Sequence, residues 1–242
     1  MLGDAKVPWR SALIEGAVVV TSILLAFGLN AWWSSVQERH QERQYLTALQ
    51  REFSLARDSL ESQEVRRAWA RHVAEALIAQ IQGAPRAPDD SLLLWSSGLS
   101  LQIDFDPARA VYDDLVSSGG TQLIHSDSLR MMLAQYASQL ELVRHADQQA
   151  WSTWEQRTQP FLEGRVPRVD RLRKGVAGLY ATIPFGPSPH PSQWTRVLAD
   201  AAFEDMVAER WLRLGVASRR LAQVAPLIDS ILRLIDEELN DH

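Results

Sequence analysis

The residues able to do chemistry come first. The chain carries six histidines: His40, His72, His125, His145, His190 and His242. No two stand four apart, the spacing that places two imidazoles on one helical face around zinc, and no zinc-protease motif is present. His125-Ser126-Asp127 sets the residue types of a hydrolase triad side by side. Triad members meet in space from separate parts of a fold, so this tripeptide reads as a helix cap. Asp104, Asp106, Asp113 and Asp114 are calcium-type ligands, but their spacing departs from a helix–loop–helix calcium loop, and they read as a solvated surface. Ser117-Ser118-Gly119-Gly120 lacks the lysine of a phosphate-binding loop and reads as a helix terminator. With no cysteine, thiolate zinc sites, iron–sulfur clusters and cysteine nucleophiles are excluded. Of the nine tryptophans, Trp95, Trp151, Trp154, Trp194 and Trp211 are core candidates, with an aromatic ligand cage as the sharper alternative. The expectation is a protein without catalytic residues, metal ligands or cofactor, and not an enzyme.

The most informative ionisable residue is Glu15, because of its surroundings. From Ala12 to Trp33 the chain reads ALIEGAVVVTSILLAFGLNAWW, with Glu15 its one acidic or basic residue. A bilayer core of about 30 Å takes about 20 helical residues. Trp9 and the pair Trp32–Trp33 bracket the stretch as interfacial aromatics do. A transmembrane helix over 12–33 is expected, preceded by a short cytoplasmic tail, 1–11. A cleaved signal peptide has a shorter apolar run and a small-residue cleavage site. Ala12, Glu15, Val19, Ser22, Ala26 and Asn30 recur at steps of three and four, one stripe along the helix. Small and polar residues on one stripe let helices associate in lipid. Glu15 is then an interfacial carboxylate or, in an oligomer, a ring lining a pore or proton site. Lys6 and Arg10 before the span, against Arg39 and Arg43 interleaved with Glu38 and Glu42 after it, place the amino terminus in the cytoplasm and the bulk outside.

The rest of the sequence must position whatever the protein presents. No Pro or Gly interrupts 34–82. Leu46, Leu49, Phe53, Ala56, Leu60, Ala70, Ala74, Leu77 and Ile81 mark one face of a long helix, with Gln63 and Arg67 in the same register predicting a weak point or bend. Gly83 to Pro88 is a loop; Asp89 and Asp90 cap a short helix over 91–97. A further helix starts with Asp106 as N-cap and Pro107 in its first turn, and stops at Gly119-Gly120. Ser126 or Asp127 caps the next, which runs past Trp154 towards Pro160 and Gly164. Residues 165–192 read as an irregular excursion. Ser192 caps a short helix to Leu198, and Asp200 opens a long one that Pro226 kinks or interrupts. Leu99 to Phe105 is the one weak strand candidate. The fold class is all-α: an N-terminal transmembrane helix continuing into a long helix of an antiparallel bundle, with 34–242 as the extracytoplasmic domain and the C-terminal helix returning along the first.

With these residues in view, the chain resembles an uncharacterised domain-of-unknown-function family of single-pass bacterial membrane proteins. In that family a glutamate opens the span, small residues follow two and three turns on, and an Asn-x-Trp group closes it; Glu15, Ser22, Ala26, Asn30 and Trp32 stand at those positions. Ser22 replaces a common glycine, and Ala31 and Trp33 stand where asparagine is usual. The likeness continues through Tyr45-Leu46 and Leu49, the stretch from Tyr112 to Gly120, Leu123-Ile124, the helix from Leu129-Arg130 to Tyr136, and Ile235 to Leu239. It implies a membrane-anchored helical protein and carries no established activity. A net charge of −5 argues against a nucleic-acid partner. The expected partners are the lipid bilayer and a second copy or another membrane protein, in the bacterial inner membrane. The expected role is a membrane-anchored interaction or scaffold module, oligomeric through its membrane helix. The alternatives are an ion or proton channel with a Glu15 ring, and a ligand-sensing module that signals through a partner membrane protein.

Overall fold

A computed structural model describes residues 9–175 and 183–240, with side chains from residue 15 onward. All its regular structure is helical. α1 runs from Trp9 to Ile81 without a break, 73 residues or about 110 Å at the helical rise. Every residue from Glu15 to Gln41 is exposed, and burial begins at Glu42. The helical run continues through Gln63 and Arg67, where a weak point or bend was expected. Gly83 ends the helical run in the left-handed region at φ +93°, which a side chain would disfavour.

Short helices α2 (Asp89–Gly98) and α3 (Ala110–Ser117) follow, then a 3₁₀ turn over Gly120–Leu123. Asp89 and Asp90 lie inside the first turn of α2 and not before it; Pro88 is the N-cap position. α3 begins three residues beyond the expected Pro107, and Arg109 is its N-cap position. The 99–105 segment joins α2 to α3 outside any strand. α4 (Asp127–Thr153) is capped by the Ser126 hydroxyl, which accepts from the Leu129 N–H at 3.4 Å. It passes through a π-helical turn, Trp154–Thr158, into α5 (Gln159–Leu162). The expected excursion at 165–192 contains a helix, α6 (Arg168–Gly175), which packs on α2. Its four basic residues and sparse apolar side chains hide it from periodicity. α7 (Trp194–Leu198) starts after Gln193 and not at Ser192. α8 (Ala201–Ala222) opens on the Asp200 side chain, which accepts from the Ala202 N–H at 3.0 Å. The chain breaks for a turn at Gln223-Val224 before α9 (Ala225–Asn240), with Pro226 in the first turn where its missing N–H is harmless.

The long elements form a bundle. α1 and α4 run in the same direction, and the α8–α9 pair returns antiparallel between them, packing on both. Two large apolar clusters and a small third one, Ala70, Ile103 and Leu214, fill it. One joins Leu46, Leu49 and Phe53 of α1 to Leu133, Tyr136 and Leu140 of α4 and Ile228, Ile231 and Ile235 of α9. The Phe53 and Tyr136 rings meet edge to face there at 4.9 Å. The other, towards the far end of α1, gathers Leu77, Leu92, Trp154, Leu162, Trp194 and Phe203. Trp154 and Trp194 are buried, while Trp95, Trp151 and Trp211 pack against the cluster partly covered.

Candidate functional site

Three features could bear function: the bare segment of α1, a chain of buried charges, and a cavity against α6. The bare segment is the one helix among the described residues that is long and apolar enough to cross a membrane, and its apolar window is wholly unburied. Of the association stripe, Glu15, Val19, Ser22, Ala26 and Asn30 are exposed on the same helix; the side chains of Ala12 and Trp9 lie outside the described residues. Val19 is 54% exposed, and Leu24, Leu25 and Phe27 on other faces expose 65–69% of their surface. The hydroxyls of Thr21 and Ser22 donate to the carbonyls one turn back, Ala17 and Val18, both at 2.8 Å. This back-bonding satisfies them without water, as a helix in lipid requires. The Trp32 and Trp33 rings stand 6.5 Å apart, both exposed.

Where burial starts, three carboxylates that sequence patterning did not select hold the 99–125 crossing onto the bundle. Glu42 of α1 is fully buried; one oxygen accepts the His125 backbone N–H at 2.6 Å and the other lies 2.6 Å from its Nδ1. Glu52, ten residues on, accepts the N–H groups of Val111 and Tyr112 at 2.7 and 3.1 Å. It therefore caps α3 from a different helix, where Asp106 was expected to do so. Asp147 of α4 accepts the Phe105 N–H at 3.1 Å and both terminal nitrogens of Arg67, at 2.5 and 2.9 Å. Arg67 and Asp147 are 1% and 3% exposed, so this ion pair is sealed between the two apolar clusters. Arg210 of α8 completes the layer, donating to the carbonyls of Ala150 and Leu101. Burial pushes its guanidinium down to about 10, with Arg67 adding to the shift and Asp147 and Asp104 opposing it, so it stays charged at neutral pH. Sites like this are cross-links: the three carboxylates hold backbone N–H groups, the Arg67 guanidinium and the His125 imidazole.

The candidates weighed for catalysis separate in space. Ser126 caps α4, Asp127 pairs with Arg130, and His125 turns to Glu42. In the acidic cluster Asp104 accepts from Gln102, Asp106 pairs with Arg144, Asp113 with Arg109, and Asp114 accepts from the Tyr45 hydroxyl at 3.0 Å. Among the described residues no group of three or more His, Asp or Glu side chains could hold a metal ion.

The third feature is a cavity of about 440 Å³ between α2, α6 and the π-helical turn. Trp69, Trp151 and Trp154 line it, with Arg171 of α6. Arg171 is 4% exposed. Its guanidinium sits 5.7 Å from the Trp154 ring centre. Its Nε and Nη2 have no hydrogen-bond partner among the described residues. Burial pushes it down to about 10, with Arg168 adding to the shift and Glu163 opposing it. The sequence signal for this site was the tryptophans; the arginine falls in the segment read as irregular. No protein-family model matches the chain, and no curated protein or solved structure is significantly similar to it.

Proposed function

We propose that the protein is a membrane-anchored, non-enzymatic scaffold: a helical bundle standing on one lipid-crossing helix and associating with copies of itself through that helix. The observation that carries this reading is the contrast along α1. From Glu15 to Gln41 it buries nothing, although Ile23, Leu24, Leu25 and Phe27 are among its side chains. From Glu42 onward the same helix is the central wall of the bundle. An apolar surface of that length has no stable place in water, and a bilayer is the solvent that suits it. The anchor and the bundle share one uninterrupted helix, so a change in packing between anchors transmits directly to the bundle. The basic residues of the amino-terminal tail orient the bundle away from the cytoplasm of a bacterial inner membrane.

The stripe of Ala12, Glu15, Val19, Ser22, Ala26 and Asn30 is the association face. Its small residues permit close approach, and Asn30 supplies a side-chain hydrogen bond between helices. Carbonate-washed membranes should retain the full-length protein, and cysteine-free crosslinking in lipid should trap oligomers that S22L/A26L weakens. An extractable protein, or crosslinking unchanged in S22L/A26L, would overturn the respective halves of the proposal. Proton flux in liposomes abolished by E15Q would replace the scaffold with a channel.

A further inference from the structure

We infer that the cavity between α2, α6 and the π-helical turn binds a small organic carboxylate with an apolar or aromatic body. This goes beyond the scaffold reading and stands independently of how the membrane helix associates.

The argument begins with Arg171. A guanidinium in a protein interior is normally matched by a carboxylate or by carbonyl oxygens, because removing a charge from water without a partner is among the largest penalties a fold can carry. The other buried arginines obey this: Arg67 has Asp147, and Arg210 has two carbonyls. Arg171 is buried to the same degree, forms no ion pair within 4 Å among the described residues, and leaves Nη2 as well as Nε without acceptors, where Arg67 and Arg210 leave Nε alone. It also lines a cavity. An anion held in that cavity would give the guanidinium the acceptor that the protein itself does not supply.

The walls define the rest of the ligand. Trp69, Trp151, Trp154, Leu101 and Leu172 offer flat and aliphatic surface. Trp69 and Leu172 are 39% and 38% exposed, so apolar surface at the cavity is left uncovered. The charged lining is two arginines, Arg168 and Arg171, against Glu155, which favours one negative charge. About 440 Å³ lies in the range that holds a small molecule and excludes a protein chain. The π-helical turn supplies Trp154 and Glu155 to the wall; such turns recur where a helix is adjusted around a site. On the opposite side α6 is held close to α2 by the Lys174–Asp90 ion pair at 2.6 Å and by Gly175, where an added Cβ would meet the Ser97 hydroxyl. α6 therefore acts as the wall that carries the cation.

The test uses the full-length protein in nanodiscs with 3-phenylpropionate, its neutral amide 3-phenylpropionamide, and inorganic phosphate, read by calorimetry and by tryptophan fluorescence. Saturable binding of 3-phenylpropionate is expected, with the amide and phosphate each at least tenfold weaker. R171M should weaken carboxylate binding tenfold or more and abolish the rise in Tm that the carboxylate gives the unsubstituted protein, while R171K retains part of both. R130Q, remote from the cavity, should bind as the unsubstituted protein does. Equal binding of acid and amide, tighter binding of phosphate, no saturable binding of the acid up to millimolar concentration, or carboxylate binding unchanged in a folded R171M would each overturn the inference.

Discussion

Asp147 grips Arg67 through both terminal nitrogens, 80 residues away in sequence and deep between the two apolar clusters, and the same carboxylate also takes the Phe105 N–H. This explains how the unbroken α1 carries a charged residue in its apolar register: Arg67 occupies a core position because a partner is waiting there. Removing one member of such a pair strands the other. Asp147 is the worse loss, since it leaves Arg67 and Arg210 facing each other in the interior and the Phe105 N–H without an acceptor. D147L should lose about 3–5 kcal/mol of unfolding free energy, and R67M somewhat less. The double variant R67M/D147L should recover much of the loss, because a packed apolar pair escapes the desolvation penalty. Urea unfolding followed by circular dichroism measures all three; additive losses in the double variant would refute the coupling.

Glu52 supplies a second, separable case. Its two oxygens satisfy the first N–H groups of α3, and Ala or Gln in its place leaves one or both unpaired. E52A should cost about 1–3 kcal/mol. Hydrogen exchange should show the effect locally, with Val111 and Tyr112 losing protection while the Leu77 and Phe203 region keeps it.

How much of this was legible depends on the range of the force involved. Leu46, Leu49, Phe53 and Leu60, and likewise Leu221, Ile228 and Ile235, repeat at helical spacing and face one core, so the long helices and the return of the C-terminal pair read directly from the sequence. Pro226 and Gly83 act on their own backbone and also read correctly. The start of α3 did not, because its cap comes from Glu52 some sixty residues earlier and not from Asp106 beside it. Arg67 looked like a flaw in an apolar register because its partner lies on another helix. Arg171 was hidden twice over: its helix has almost no apolar face, and nothing in local sequence marks a cation as unpartnered.

Burial raises the Tyr136 phenol above its ordinary value of 10, Glu52 adds to the shift, Arg109 opposes it, and Tyr112 adds a smaller increment. The folded state thus holds this proton more tightly than the unfolded state. Its contribution to stability is complete below pH 10 and declines as the pH climbs from there through the raised folded value. Native protein at pH 11 should show less tyrosinate absorbance at 295 nm than the same protein in urea. Y136F keeps the edge contact with Phe53 and should flatten the alkaline fall in urea midpoint; an equally steep fall in Y136F would place its origin elsewhere.

The contrast along α1 leads to the last expectation. Residues 15–41 bury nothing against the bundle, whereas Leu46 and Leu49 are fully enclosed. Cutting the chain before Ser34 should therefore remove the apolar surface and leave both clusters intact. The shortened protein should partition into the aqueous phase of a Triton X-114 separation, against the detergent phase for the full chain. Its urea midpoint should agree with that of the full-length protein in mild detergent. Cutting before Phe53 is the matched control, since it removes Glu42, Leu46 and Leu49 along with the span. Losing two enclosed leucines costs about 4–10 kcal/mol by the usual range for a buried Leu→Ala, enough to unfold a domain of ordinary stability. If the cut before Ser34 also abolishes cooperative unfolding, the exposed segment supports the bundle in a way its burial does not reveal.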